Sequence, residues 1–121
     1  MTEPELPAVR PRSWRVADAD AFLPALDRLL DSVEAAVLRQ RDDDGPATAP
    51  EVLLSGLLTV LDEAGVVVRD LQRRLVDFPT VGPDGEVVLL CRTGEESRIA
   101  WWHDPTAGYA GRRSLDDDPP W

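Results

Sequence analysis

Lysine and asparagine are absent from these 121 residues, and cysteine, histidine, isoleucine, methionine and tyrosine occur once each. A single cysteine, Cys91, excludes an intramolecular disulfide framework and a cysteine-only zinc site. A single histidine, His103, excludes a His–His metal motif within one chain. No basic tract occurs, and 23 acidic against 13 basic residues leave a net charge of -10. Duplex nucleic acid is therefore a poor partner, because cation–phosphate contacts supply most of that affinity. Long apolar runs are missing as well. The most apolar stretch, 52–61, is broken by Ser55, Gly56 and Thr59 and covers about half the roughly 20 residues a bilayer needs. The first eleven residues lack the apolar centre of a signal peptide. The expectation is a soluble cytoplasmic protein that binds neither nucleic acid nor membrane.

With 43 % apolar residues, the chain is too hydrophobic to be wholly disordered. All its side-chain cations except His103 are arginines, a skew matching the codon usage of a genome rich in G and C. Charge is uneven: residues 1–16 carry +1, residues 17–64 carry -8, residues 65–115 are neutral, and the tail carries -3.

In residues 17–41, Phe22, Leu26, Leu29, Leu30, Val33 and Val37 recur every three or four positions, the stripe of an amphipathic helix. Pro24 lies inside it and predicts a kink there or a start nearby. The Asp42-Asp43-Asp44-Gly45-Pro46 run ends that helix. Thr48 and Glu51 have capping-box spacing, Pro50 falls in the first turn, and Leu54, Leu57, Leu58, Leu61 and Ala64 form a second apolar face. Gly65 suits the left-handed residue after a helix. Beyond it, Val66–Val68, Leu75–Pro79, Glu86–Arg92 and Arg98–His103 read as strands separated by turns.

The expected fold is α+β: an N-terminal antiparallel two-helix hairpin followed by a small three- to four-stranded antiparallel β-sheet. Residues 1–13 read as a flexible segment, 14–115 as one domain and 116–121 as an acidic, Pro-rich disordered tail. Neighbours on a strand face opposite ways, so Trp101 and Trp102 require both faces of the last strand to be covered. One cover is the helices, and a second copy of the chain, docked through the helical hairpin, is the simplest other.

Candidate chemistry concentrates in the neutral segment. With Thr93–Ser97 as the turn, Cys91 pairs with Ile99 and His103 falls near Val87, about 13 Å from Cys91, too far for a nucleophile–base dyad. Cys91 then reads as core. Pairing Pro79 with Glu86 sets Asp77 opposite Val88, facing away from His103. Asp77, Glu96, His103 and Asp104 include metal-ligand types, but they lie on separate elements without ligand spacing, so no metal or cofactor is assigned. The loop from Gly108 to Arg113 could hold a small anion through backbone N–H groups and arginine. Alternatively, its arginines pair with Asp77, Asp104 or Glu96. The candidate cluster is Asp77, Glu96, His103, Asp104, Tyr109 and Arg112. The expected role is a non-enzymatic binding or regulatory homodimer, with a small ligand- or metal-binding enzyme sited on Asp77, Glu96, His103 and Arg112 as the alternative.

The stretches Leu75-Val76-Asp77-Phe78-Pro79, Cys91, Glu96, 99–104 (Ile-Ala-Trp-Trp-His-Asp) and 107–112 (Ala-Gly-Tyr-Ala-Gly-Arg) resemble the signature of a bacterial family known as domain of unknown function 2203. The resemblance spans roughly residues 14–115 and includes Phe22-Leu23-Pro24. It implies a small bacterial protein of two helices and a sheet, without an established activity. Arg74 stands where that family usually has glycine before Leu-Val-Asp, and Arg92 where an aromatic usually follows the cysteine. Both departures add positive charge near the sheet.

Overall fold

The computed structural model describes residues 13–41 and 50–121. The capping residue Thr48, the breaker run at 42–46 and the N-terminal segment before residue 13 lie outside the described residues. Helix α1 spans Val16–Arg41 and α2 spans Pro50–Glu63. Five strands follow in the described residues: β1 Val67–Asp70, β2 Leu75–Val81, β3 Val87–Arg92, β4 Trp101–His103 and β5 Arg113–Ser114. They pair antiparallel in chain order, and a short 3-10 turn at Tyr109–Gly111 precedes β5. The architecture is α+β, a helix pair and then a sheet. No helix among the described residues is long and apolar enough to cross a membrane.

Helix α1 runs through Pro24 and starts eight residues before it, so a start near Pro24 is corrected. Its buried stripe is Ala19, Leu23, Leu26 and Leu30, whereas Leu29 and Val37 reach solvent. In α2, Leu57 and Leu61 are buried, and Gly65 closes the helix at φ 80°, with its N–H donating to the Asp62 carbonyl.

Strand alternation sorts the sheet into two faces. Val76, Phe78, Val88, Leu90 and Trp102 join Leu23, Leu26, Leu30, Leu57 and Leu61 in one core. Trp14 packs edge-on against Phe78, and its indole N–H donates to the Ala64 carbonyl at 3.1 Å. Leu75, Asp77, Leu89, Cys91 and His103 take the opposite face and are also buried. The 104–112 loop covers that face: Pro105, Thr106 and Tyr109 stand over it, and the Arg112 guanidinium lies 4.8 Å from the Trp101 ring. This is the second cover that Trp101 and Trp102 require, and it comes from the chain itself.

Three local readings change. The sheet has five strands instead of three or four, because β5 is two polar residues with no alternation to read. Strand β4 begins at Trp101 instead of Arg98, because the Ile99 N–H is captured by Asp20 Oδ1 at 2.6 Å and the Ala100 carbonyl accepts from Leu115 N at 2.9 Å. In the acidic segment 116–121, expected to be disordered, residues 116–118 are hydrogen-bonded. The buried Trp102 indole donates to the Asp118 carbonyl at 2.7 Å, and Asp118 N donates to the Ser114 carbonyl at 2.8 Å.

The helix-facing core is tested by truncation. Leu61→Ala, at 1 % exposure, should cost about 2–5 kcal/mol in urea unfolding, and Val60→Ala, at 52 % exposure, about 0.5 kcal/mol or less. Equal effects at the two positions would count against this packing.

Candidate functional site

The β2–β3 pairing runs from Val81 opposite Val87 to Val76 opposite Arg92, so Asp77 faces Cys91 directly. A Pro79–Glu86 pairing, which would set Asp77 opposite Val88 and facing away, is corrected. The five-residue loop 82–86 shifts the register by an odd number, which moves every β2 side chain to the other face. In β3–β4, Cys91 pairs with Trp101 and His103 with Leu89. His103 is therefore two residues from Cys91 along one face, and the separation of about 13 Å is corrected. The Asp77 carboxylate, Cys91 Sγ and a His103 ring nitrogen all lie within 4.8 Å of one another, and all three residues are buried.

Hydrogen bonding orients this cluster. His103 Nδ1 lies 2.7 Å from the Asp104 carbonyl, which can only accept, so Nδ1 carries hydrogen. His103 Nε2 lies 3.1 Å from Asp77 Oδ2. The Arg69 Nε–H donates to that same Oδ2 at 2.8 Å, whereas Asp77 Oδ1, equally buried, has no hydrogen-bond partner among the described residues. Burial pushes the Cys91 thiol up to about 12; the Asp77 carboxylate adds to this and Arg112 opposes it.

A cavity of about 230 Å³ opens over the cluster, walled by Arg69, Thr106, Gly108 and Tyr109. The loop that covers this face closes tightly: a Cβ on Gly111 would stand 2.7 Å from the Ala107 Cβ. Gly108 holds φ 67°, the left-handed region that glycine enters without steric cost.

Of the residues expected to form the site, Asp77 and His103 touch, and Tyr109 walls the cavity. Asp104 contributes its carbonyl, and its side chain is exposed. Glu96 and Arg112 form a separate bidentate pair at 2.9 and 3.0 Å, the ion-pair alternative for that loop, with Arg112 also close enough to Cys91 to bias its ionisation. Two guanidinium groups stand over the Tyr109 ring, Arg73 at 4.5 Å and Arg112 at 4.4 Å from its centre. Sequence reasoning missed Arg69 and set Cys91 aside. Arg69 sits where the β1–β2 register shifts, which simple alternation cannot anticipate. For Cys91 the available signal was hairpin loop length.

Arg92 and Arg74 meet at one carboxylate. Arg92 is 1 % exposed on the helix-facing side and donates to Asp27 Oδ2 at 2.6 Å. Arg74 donates to Asp27 Oδ1, Asp31 and Glu34, and the Asp31 bond does most to raise its pKa. Arg74 also holds φ 50°, a left-handed conformation that glycine adopts more easily.

A family model described as "Uncharacterized conserved protein (DUF2203)" matches residues 47–115. The match includes α2, all five strands and every residue of the cluster, and leaves α1 outside. No curated protein and no solved structure matches the chain.

Burial alone would raise the Glu96 carboxyl, but hydrogen bonds from Arg112 and the Thr93 N–H outweigh it and hold Glu96 below the usual carboxylate range. A depressed folded value means that this stabilisation is complete above the unfolded value, about 4.3, and is lost as pH falls through the folded one. Glu96→Gln should cost about 1–3 kcal/mol in urea unfolding at pH 7, with the gap to wild type closing in acid. A gap of equal size at both ends of that range would contradict the assignment.

Proposed function

The chain belongs to the DUF2203 family of uncharacterized conserved proteins, and we propose that it works by binding, with its ligand held in the cavity over Asp77, Cys91 and His103. Thiol catalysis needs a histidine nitrogen free to take the cysteine proton and a thiol that ionises readily. Here Nδ1 donates to a carbonyl, Nε2 faces Asp77, and burial pushes the Cys91 thiol up to about 12. The observation that carries the binding reading is Asp77 Oδ1, a buried acceptor with no partner among the described residues at the foot of a cavity. A ligand that meets this atom removes a penalty of about 1–3 kcal/mol. As part of the same reading, the protein is bacterial and cytoplasmic, with its one cysteine a buried free thiol.

A second reading, that the protein is a homodimer through its helices, is favoured by where apolar surface remains. Six of the exposed large hydrophobics among the described residues lie on α1 and α2, with Leu29, Val52 and Val60 lining a groove between them.

Native mass spectrometry of freshly purified protein tests both readings. Wild type should carry mass that denaturing conditions strip and that Asp77→Asn loses; a bare chain would count against binding. A dimer peak lost in Val60→Glu supports the helical interface, whereas a monomer throughout rejects it. Cys91 should react with iodoacetamide at pH 8 about a hundredfold more slowly than glutathione. A rate above that of glutathione would indicate an activated nucleophile and overturn the choice of binding over thiol catalysis.

A further inference from the structure

We propose that Asp77, Cys91 and His103 form a site for one thiophilic divalent cation of the zinc class. This rests on the reading of the cavity as a binding site and names the ligand in direct contact with its floor. The three donors, a carboxylate oxygen, a sulfur and an imidazole nitrogen, come from three adjacent strands, β2, β3 and β4. They lie within 4.8 Å of one another. Around a tetrahedral zinc, bond lengths of about 2.0–2.3 Å set donors roughly 3.3–3.6 Å apart, so side-chain rotations drawing them together by about 1 Å close the site.

The surrounding bonds favour a cation over a purely structural contact. The Asp104 carbonyl holds hydrogen on Nδ1, which leaves Nε2 as the ring nitrogen able to present a lone pair toward the carboxylate. Metal-bound histidines are fixed in this way by a carbonyl on their other nitrogen. Nε2 beside the Asp77 carboxylate needs either a proton shared with Oδ2 or a cation that takes up its own electron pair. A shared proton satisfies Oδ2, which Arg69 already serves, and leaves Oδ1 without a partner. A cation bound through Oδ1 engages the unpaired atom and leaves the Arg69 bond in place.

The donor set also selects the ion. Magnesium and calcium take all-oxygen shells, whereas mixed sulfur, nitrogen and oxygen ligation suits zinc, cobalt and cadmium. On binding, the thiol proton and any proton between Nε2 and Asp77 pass to solvent, so Cys91 and Asp77 each bring one negative charge to the divalent ion. Three protein donors leave a fourth position, and the cavity between Arg69 and Tyr109 is where water or a small anion would complete it.

The test uses the full chain, stripped with a chelator and desalted, and titrated with cobalt(II). One equivalent should produce a near-ultraviolet sulfur-to-cobalt charge-transfer band and the intense visible bands of four-coordinate cobalt, both abolished by zinc. Cys91→Ser, with a helix signal equal to wild type, should lose the charge-transfer band. Absence of the bands in folded wild type, or their persistence in Cys91→Ser, would overturn the proposal. Should that variant not fold, alkylation of wild-type Cys91 by iodoacetamide serves instead: one equivalent of zinc should slow it at least tenfold, and an unchanged rate would overturn the proposal. Retained non-metal mass in the native spectrum, without cobalt bands, defeats the cation alone; a bare chain that also gives no bands defeats both readings.

Discussion

The register of the β2–β3 hairpin is the constraint on which the rest of the molecule depends. A five-residue loop after Val81 sets Asp77 opposite Cys91 and Phe78 opposite Leu90. Because side chains alternate, one register assigns Val76, Phe78, Val88 and Leu90 to the helices and Asp77, Leu89 and Cys91 to the far face. A slip of one residue would drive a carboxylate into the apolar core and send Phe78 away from Trp14. The hydrophobic cost of that exchange pins the register, and the chemistry of the far face follows from it.

That far face is covered by the chain's own 104–112 loop. Gly111 allows the loop to close against Ala107, and Arg112 fastens it by pairing with Glu96 and lying over both Tyr109 and Trp101. Burial under this loop gives Asp77, Cys91 and His103 their character. A carboxylate at 1 % exposure, short of one partner, is stable only if something positive or hydrogen-donating meets it. Arg69 and His103 meet one oxygen, and the other has no hydrogen-bond partner among the described residues.

On the opposite side, Asp27 of α1 ties the helix pair to the sheet by accepting from both Arg92 and Arg74. The two arginines thus belong to one device. Arg92 takes a buried position with a carboxylate to receive it. Arg74 holds a left-handed backbone conformation, and three acidic partners on α1 offset its strain. The partner helix lies outside the stretch that the family model matches, so this linkage joins matched and unmatched parts of the chain.

Local physics in the sequence determined the helices, most strand positions and the turn at Gly65. Each follows from short-range rules: leucine spacing, β-branched runs, and glycine where φ is positive. Tertiary structure alone decided which of those residues meet. Hairpin parity brought Asp77 to Cys91, the β3–β4 register set His103 beside them, and a register shift in β1 delivered Arg69. All three depend on contacts between residues distant in the chain. Composition therefore marked the segment that holds the candidate cluster, and long-range pairing assembled that cluster within it.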